Sequence, residues 1–350
     1  MKTAVIGAGA IGSVVAAYLT KAQVDVTLIG RPDQVAAIER DGLAIKGIRG
    51  EETVQVKVAS SLATHCDLVI LTVKTQDIYD VVADNKELLK DSLILSSQNG
   101  VRADSLLRES FSEENIFSSI VMFGSTYVRP GEVTFNFEGD WILGKPYGPA
   151  DERLDQIRDV LSKAFSIVPS DDIIAMKWLK LFVNFNNCIP ALIGKSMQET
   201  FADMDLCRLS IMLSQEGFAI VKEAGIQPIS LPNFPLERIT GLLGMPLDQA
   251  AGIINKTLTS LSKEPLYGSI LQSIMRKRLS EIDYINGEVV RLADDRKMNV
   301  PLNRKIVELV HEVEETGKYF RLEDIKNKFK LAVGATDSNI QMNPQSGSRP

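Results

Sequence analysis

The stretch TAVIGAGAIG, residues 3–12, decides the fold, because four apolar or β-branched residues run directly into a cluster of glycines. The first four residues predict a buried strand, and residues 11–21 follow with the periodicity of an amphipathic helix. Glycines spaced G-x-G-x-x-G between a strand and a helix form the fingerprint of a dinucleotide-binding turn. The residues that this turn would present to a dinucleotide are Gly7, Ala8, Gly9, Ala10, Ile11 and Gly12.

Each glycine of this turn has its own physical reason. Gly7 permits a tight turn, Gly9 lets the backbone approach a pyrophosphate at the helix N-terminus, and Gly12 lets the helix and the strand pack closely. The alternative interpretation is a glycine-rich turn that binds nothing. The position of the motif between a strand and a helix favours the ligand-binding interpretation.

Strand–helix alternation continues through the first half of the chain, which predicts right-handed crossovers and a parallel sheet. Further strands are predicted over 24–29, 68–73 and 93–96, with a helix over 81–89. Between residues 120 and 144, the alternation of Val133, Phe135 and Phe137 predicts antiparallel edge strands that complete the same sheet. We therefore predict an α/β domain of the Rossmann type over residues 1–168.

The second half of the chain has helical periodicity almost throughout. Its predicted helices cover residues 174–197, 201–224, 246–262, 270–293 and 303–317. We expect an all-helical domain over residues 169–330, followed by a loose, polar tail over residues 331–350. A length of 350 residues is also typical of two domains.

Composition excludes several classes of partner. With 39 basic and 45 acidic residues the net charge is −6, so the chain lacks the basic surface that dominates nucleic-acid affinity. No apolar run approaches the ~18–20 residues needed to span a bilayer. The chain has 2 histidines and no metal-ligand spacing, so no metal site is expected.

The expected compartment is the cytoplasm. Cys66, Cys188 and Cys207 are widely spaced and odd in number, which suits reduced thiols better than a disulfide framework. The chain also enters its first strand without the apolar stretch that is typical of a signal peptide.

The residue after the second predicted strand indicates which dinucleotide binds. About 20 residues beyond the glycines, an NAD enzyme usually places Asp or Glu for the ribose hydroxyls. This chain has Arg31 there, and a guanidinium pairs with the 2′-phosphate of NADP where a carboxylate would repel it. The alternative interpretation is a solvated arginine in a loop.

Polar residues also follow the next two strands. Lys74 comes after the strand over 68–73, and Asn99 follows the strand over 93–96. Ligands of open parallel sheets bind beyond the carboxyl ends of the strands, so both side chains are candidates to face a cofactor. Taken alone, each is an ordinary loop residue, and it is the glycine turn that makes them candidates.

The helix predicted over 174–197 carries polar residues among apolar ones. Lys180, Asn184, Asn187 and Cys188 are spaced i, i+4, i+7 and i+8, which places them on one face. An ammonium group beside a ketone would stabilise the developing alkoxide and donate its proton. The alternative is a surface stripe in which the lysine extends to solvent.

Two later residues have ordinary structural explanations when considered alone. Ser269 begins an S-x-x-Q capping box and would be the N-cap of the helix over 270–293. Glu281 is an acid in an apolar-periodic helix, and such an acid usually lies on a solvated face.

In combination, these motifs resemble the ketopantoate reductase family, NADPH-dependent enzymes with a Rossmann domain followed by a helical domain. The likeness covers roughly residues 1–320. The motifs that carry it are residues 7–12, 73–76, 98–100, 180–184, Ser269 and the string EIDYING at 281–287. The last string is the most specific to the family.

The resemblance implies NADPH-dependent reduction of 2-dehydropantoate to pantoate, a step of pantothenate biosynthesis, with Lys180 as proton donor. The substrate would contact Asn99, Lys180, Asn184, Asn187 and Ser269. Beyond the glycine turn, the cofactor would contact Arg31, Lys74, Asn99 and Glu281. The site would then lie in the cleft between the two domains.

One departure from the family leaves the substrate open. Many members have a second asparagine where this chain has Cys188, and Asn187 precedes it by one residue. Phe185, Asn186 and Asn187 could then shape a pocket for another branched or aromatic 2-oxo acid. A non-catalytic NADPH sensor is the alternative from a different class, and a homodimer formed through the long helices is a possible assembly.

Overall fold

The computed structural model of the protein describes residues 1–262 and 264–331. Its first half is built on an eight-stranded sheet, and all neighbouring strands are parallel except one pair. In spatial order the strands are β12 (Ile167–Pro169), β11 (Trp141–Gly144), β8 (Ile116–Val121), β7 (Leu93–Ser96), β6 (Leu68–Leu71), β1 (Thr3–Ile6), β2 (Val26–Ile29) and β5 (Lys57–Ala59). The antiparallel pair is β11 and β8. The predicted Rossmann-type parallel sheet is confirmed.

A second sheet of four strands lies beside the first. Its order is β4 (Glu52–Val54), β3 (Leu43–Gly47), β10 (Glu132–Phe137) and β9 (Gly124–Arg129). The expectation that the alternating Val-x-Phe-x-Phe segment completes the main sheet is therefore wrong. Phe135 is fully buried, with its ring centroid 5.7 Å from that of Tyr18. The alternation marks a strand with one buried face, but its hydrogen-bonding partner is a distant segment.

Helices cover the main sheet, and the second half is built from helices. The helices of the first half are α1 (Ala10–Lys21), α2 (Pro32–Asp41), α3 (Ile78–Leu89), α4 (Ala103–Arg108) and α5 (Glu152–Leu161). Those of the second half are α6 (Ile173–Asn184), α7 (Cys188–Ile193), α8 (Met197–Phe201), α9 (Met204–Glu223), α10 (Glu237–Leu243), α11 (Leu247–Thr259), α12 (Ser269–Met275), α13 (Asn286–Asp295), α14 (Pro301–Thr316) and α15 (Leu322–Lys328). The predicted tail lies, apart from residue 331, outside the described residues.

All regular segments after residue 170 are helical in the part of the chain that the structure describes, apart from one isolated bridge between Leu231 and Phe234. The expected all-helical second half is confirmed. No described helix combines the length and the apolar character needed to cross a membrane.

Two of the predicted helices are interrupted. The helix expected over 174–197 becomes α6, a 3-10 turn over 185–187 and α7, which ends at the left-handed Gly194. The helix expected over 270–293 stops at Met275, and α13 begins only at Asn286. Lys277, in the intervening segment, has a φ of 55°, which a helix does not allow. Helical periodicity therefore predicted a continuous helix where the structure has a loop over residues 276–285, and this loop contacts the first half of the molecule.

The expected capping role of Ser269 is also wrong. Gly268 is the N-cap of α12, no side-chain capping bond forms there, and Ser269 is the first helical residue. Its hydroxyl is therefore not used by the helix start. Glu281 lies just before a 3-10 turn over 282–284, outside any α-helix.

A buried ion pair connects α6 to the elements of the main sheet. Lys177 Nζ lies 2.7 Å from Asp104 Oδ2, and each side chain is only 2% exposed. The Ser118 hydroxyl donates to the same Asp104 oxygen at 2.8 Å, and the Ser96 hydroxyl donates to the other. The carboxylate thus links α4, β7, β8 and α6, and it fixes the helix that carries Lys180.

We predict that Asp104→Asn lowers the free energy of unfolding by about 3–5 kcal/mol, because it leaves the Lys177 ammonium buried without its counter-charge. Urea denaturation measures the change. The control is Asp25→Asn, which removes an exposed 2.6 Å pair with Lys57 and should leave the midpoint almost unchanged. Equal midpoints for the two variants would contradict a structural role for the buried pair.

Candidate active site

Two of the three glycines in the turn after β1 have no room for a side chain, and the third faces open space. Gly7 has a φ of +117°, and a Cβ built on it would lie 2.7 Å from the Val73 nitrogen. A Cβ on Gly12 would lie 2.0 Å from the Gly7 carbonyl oxygen. A Cβ on Gly9, the N-cap of α1, would meet no atom within 4 Å. The helix N-terminus therefore faces open space, which is the environment that a bound phosphate group requires.

Arg31 lies beside this turn, at the start of α2. Its backbone N–H donates to Gln34 Oε1 at 3.0 Å, and Gln34 Nε2 donates to the Ala8 carbonyl at 2.6 Å. Gln34, which the sequence analysis did not single out, thus ties α2 to the glycine turn. The Arg31 side chain is about half exposed, and its Nε lies 3.6 Å from Asp33 Oδ1.

Lys74 connects the end of β6 to the helical half. Its ammonium donates to the Ser273 hydroxyl at 2.6 Å and to the Leu279 carbonyl. Gln76 Nε2 donates to the Ser280 carbonyl at 3.1 Å in the same region. Burial lowers the pKa of Lys74. The loop that interrupts the predicted helix over 270–293 therefore lies on the carboxyl edge of the sheet.

Glu281 meets the sheet at the same edge. Its Oε1 accepts hydrogen bonds from the Thr75 backbone N–H and from the Thr75 hydroxyl, both at 3.2 Å. Burial raises the pKa of this carboxyl group, and the Lys74 ammonium opposes that rise. The expected solvated face is thus wrong for Glu281. Thr75 belongs to the motif over 73–76, but no site role was predicted for it.

Asn99 and Asn184 are in direct contact across the two halves. Asn184 Nδ2, at the end of α6, donates to Asn99 Oδ1 at 3.1 Å. The next residue, Gly100, has a φ of +82°, and a Cβ on it would lie 2.3 Å from the Tyr284 carbonyl oxygen. A side chain there would separate the halves, so the glycine permits their close approach.

Lys180 is partly buried one helical turn before Asn184. Burial lowers its pKa to about 8, and no charged group contributes to that shift. Lys177, three residues earlier, has a carboxylate partner at 2.7 Å. The two lysines of α6 therefore differ in their charge environment: Lys177 has an acidic partner, and Lys180 has none among the described residues.

Asn187 lies against Gly268, the residue before Ser269, whereas Cys188 is buried in the core of the helical half. A Cβ on Gly268 would be 2.5 Å from Asn187 Oδ1, which places that amide against the first turn of α12. Cys188 is fully buried, and its Sγ donates to the Phe185 carbonyl at 3.0 Å. Burial raises the pKa of this thiol to about 12. Asn187 is the last residue of the 3-10 turn over 185–187, whereas Cys188 is the first residue of α7.

Phe185 and Asn186 do not line this region. Phe185 is 1% exposed in the core of the helical half, and Asn186 Oδ1 accepts a hydrogen bond from the Ser210 hydroxyl. The suggestion that these two side chains shape a substrate pocket therefore has no support in their positions.

A glycine turn at the carboxyl edge of a parallel sheet, faced by polar residues from a helical half, is typical of a two-part dinucleotide-binding protein. Two family models match the chain: Ketopantoate reductase PanE/ApbA over residues 3–148, and Ketopantoate reductase PanE/ApbA C terminal over residues 172–314. The chain belongs to the ketopantoate reductase family. It is therefore an oxidoreductase of the 2-dehydropantoate 2-reductase type, dependent on a nicotinamide dinucleotide.

Curated relatives agree with this assignment. The 2-dehydropantoate 2-reductase of Pyrococcus horikoshii is 30% identical over 321 residues, which cover 91% of this chain and 99% of the relative. The enzyme of the same name from Streptococcus pyogenes serotype M1 is 26% identical over 313 residues, covering 88% and 96%.

Solved structures share the fold. The PanE/ApbA family ketopantoate reductase from Ralstonia eutropha JMP134 is 27% identical and superposes with a TM-score of 0.75, covering 90% of this chain and 99% of the other. A D-mandelate dehydrogenase solved with NADH and anilino(oxo)acetate is 23% identical, with a TM-score of 0.78 and the same coverage. The second likeness is one of fold alone.

Two substitutions in the glycine turn should have different effects, one on stability and the other on dinucleotide binding. We expect Gly12→Ala to lower the melting temperature, because its Cβ would meet backbone. Gly9→Ala should leave the melting temperature unchanged and weaken dinucleotide binding by about tenfold or more, because the new methyl group occupies the free space at the helix N-terminus. Thermal melting and fluorescence titration with a reduced dinucleotide measure the two effects. Unchanged binding by Gly9→Ala would contradict the assignment of this space.

Proposed function

We propose that the protein uses NADPH to reduce 2-dehydropantoate to pantoate, with Lys180 as the proton donor. The observation that carries the proposal is the different environment of the two lysines on α6. Lys177 is neutralised by Asp104, whereas Lys180 is partly buried without an acid and lies one turn from the Asn184–Asn99 contact. An unneutralised ammonium at the junction of the two halves is suited to an oxygen that becomes negative during a reaction.

When bound, the nicotinamide ring supplies the hydride that adds to the C2 carbonyl carbon of the substrate. Lys180 donates its proton to the carbonyl oxygen as charge develops there, and the product is a 2-hydroxy acid. A pKa of about 8 leaves most of this lysine protonated at neutral pH, yet makes it a stronger acid than an exposed lysine. The group is therefore both present and effective as an acid.

The amides and hydroxyl around Lys180 hold and orient the substrate. Asn184 follows Lys180 by one helical turn and is hydrogen-bonded to Asn99, so both amides are fixed at the junction. Asn187 and Ser269 lie at the start of α12, and the hydroxyl of Ser269 is not used in capping. We propose that Asn187 takes the place of the second asparagine found in many family members, since Cys188 points into the core.

The cofactor is assigned to the carboxyl edge of the sheet. The free space at Gly9 suits the pyrophosphate, and Arg31 at the next strand end suits a 2′-phosphate, which supports NADPH over NADH. Lys74 and Glu281 lie further along the same edge and would be close to the nicotinamide end. The three free, buried cysteines support a cytoplasmic location.

A second candidate function is reduction of another branched or aromatic 2-oxo acid by the same chemistry. The observation that favours it is Cys188, which stands where the family resemblance leads us to expect an asparagine. The NADH-bound D-mandelate dehydrogenase, whose fold this chain shares, makes an aromatic 2-oxo acid the natural competitor to test.

The proposed function predicts the outcome of a substrate panel. With NADPH, we expect kcat/KM for 2-dehydropantoate to exceed that for phenylglyoxylate and for 3-methyl-2-oxobutanoate by about tenfold or more. The loss of reduced-nicotinamide absorbance measures each rate, and NADH replaces NADPH in a parallel series. A faster reaction with phenylglyoxylate would favour the second candidate. Tight NADPH binding without oxidation by any acid would indicate a non-catalytic sensor.

The role of Lys180 predicts both a rate and a pH profile. We expect Lys180→Ala to lower kcat by about 10²-fold, the usual contribution of a positioned acid. In the unaltered enzyme kcat should fall as pH rises through about 8, because the donor loses its proton there, and the variant should lack this fall. Exposed Lys195 provides the control, since Lys195→Ala should change neither kcat nor the profile. A near-normal rate for Lys180→Ala would refute the assignment.

A further inference from the structure

A basic loop follows α12 and faces the nucleotide side of the first half. It consists of Arg276, Lys277 and Arg278, which are all exposed. The positive charges of Arg278 and Arg31 act on Arg276, and Arg276 in turn acts on Lys74 at the end of β6. An arginine of the helical half is thus held near Arg31, which belongs to the first half.

A short series of contacts joins Arg276 to the glycine turn. The Arg276 guanidinium carbon lies 5.5 Å from the centroid of the Tyr127 ring. The Tyr127 hydroxyl accepts a hydrogen bond from Gln34 Nε2 at 3.2 Å. Gln34 in turn accepts from the Arg31 N–H and donates to the Ala8 carbonyl. The ring of Tyr127 therefore places the exposed Arg276 guanidinium at the edge of the nucleotide site.

Two arginines whose charges interact repel each other, and an anion bound by both relieves that repulsion. Partial desolvation by the surrounding protein lowers the pKa of Arg276, and the positive charges of Arg278 and Arg31 lower it further. The group nevertheless stays charged, because arginine is not deprotonated in proteins. The nearest acid to Arg31 is Asp33 at 3.6 Å, and it would repel a phosphate. A second cation from the other half offsets that repulsion.

We propose that Arg276 binds the 2′-phosphate of NADPH together with Arg31, so that this phosphate bridges the two halves of the enzyme. The inference rests on the proposed preference for NADPH, and it adds a specificity residue from the helical half. NADH has no phosphate at this position, so it cannot form the bridge. The segment that carries Arg276 also carries Ser269 and Glu281, which links the bridge to the substrate side of the cleft.

The test compares binding of four ligands: NADPH, NADH, adenosine 2′,5′-bisphosphate and 5′-AMP. We expect Arg276→Gln to weaken NADPH and the bisphosphate by about tenfold or more, the scale of a lost charge-assisted pair, and to weaken NADH and 5′-AMP by less than about twofold. Lys277→Gln is the matched control, because it removes the same charge from the same loop, and it should change all four by less than about twofold. Isothermal titration calorimetry measures each dissociation constant, and thermal melting checks that the variants fold.

Arg31→Asp is the reference variant that separates the two proposals. If it weakens NADPH selectively while Arg276→Gln does not, the NADPH preference stands and the bridge is overturned. Equal losses of NADPH and NADH in Arg276→Gln would also overturn the bridge, since the arginine would then act on the adenine or on the loop itself. If the unaltered protein binds NADPH and NADH equally, the proposed cofactor preference falls and the bridge falls with it.

Discussion

The contact between Glu281 and Thr75 is the interaction on which the arrangement of the site depends. One carboxylate oxygen of the helical half accepts both the backbone N–H and the hydroxyl of a residue at the end of β6. Burying a carboxylate is costly unless it is hydrogen-bonded and compensated by charge, and Lys74 supplies the compensating charge here. The loop that carries Glu281 is therefore held firmly against the sheet.

Much of the site follows from that attachment. The same loop carries Ser280 and Leu279, whose carbonyl oxygens accept hydrogen bonds from Gln76 and Lys74. It continues through Arg276 to α12, where Ser269 lies beside Asn187. A cofactor and a substrate of the proposed kinds would each be contacted by both halves, so the geometry of the reaction depends on how the halves meet.

Two lysines of helix α6 have different roles because only one of them is paired with an acid. Lys177 and Lys180 are three residues apart, so both lie near the same face of one helix. Lys177 pairs with Asp104, which also accepts hydrogen bonds from two serine hydroxyls, so Lys177 is a structural residue. Lys180 was predictable from its spacing to Asn184 and from the family resemblance, whereas the role of Lys177 was not, because its partner Asp104 is 73 residues away in the chain.

Local patterns in the sequence determined the glycine turn, the strands over 3–6 and 93–96, the helical character of the second half and the family. Each depends on neighbouring residues, such as the positions of Gly7 and Gly12 between a strand and a helix. Only the tertiary structure decided that β10 joins a second sheet, that the helix over 270–293 is interrupted, and that Glu281 meets Thr75. Those outcomes depend on contacts between segments far apart in the chain, whose energies outweigh local helical preference and leave no periodic signal in the sequence.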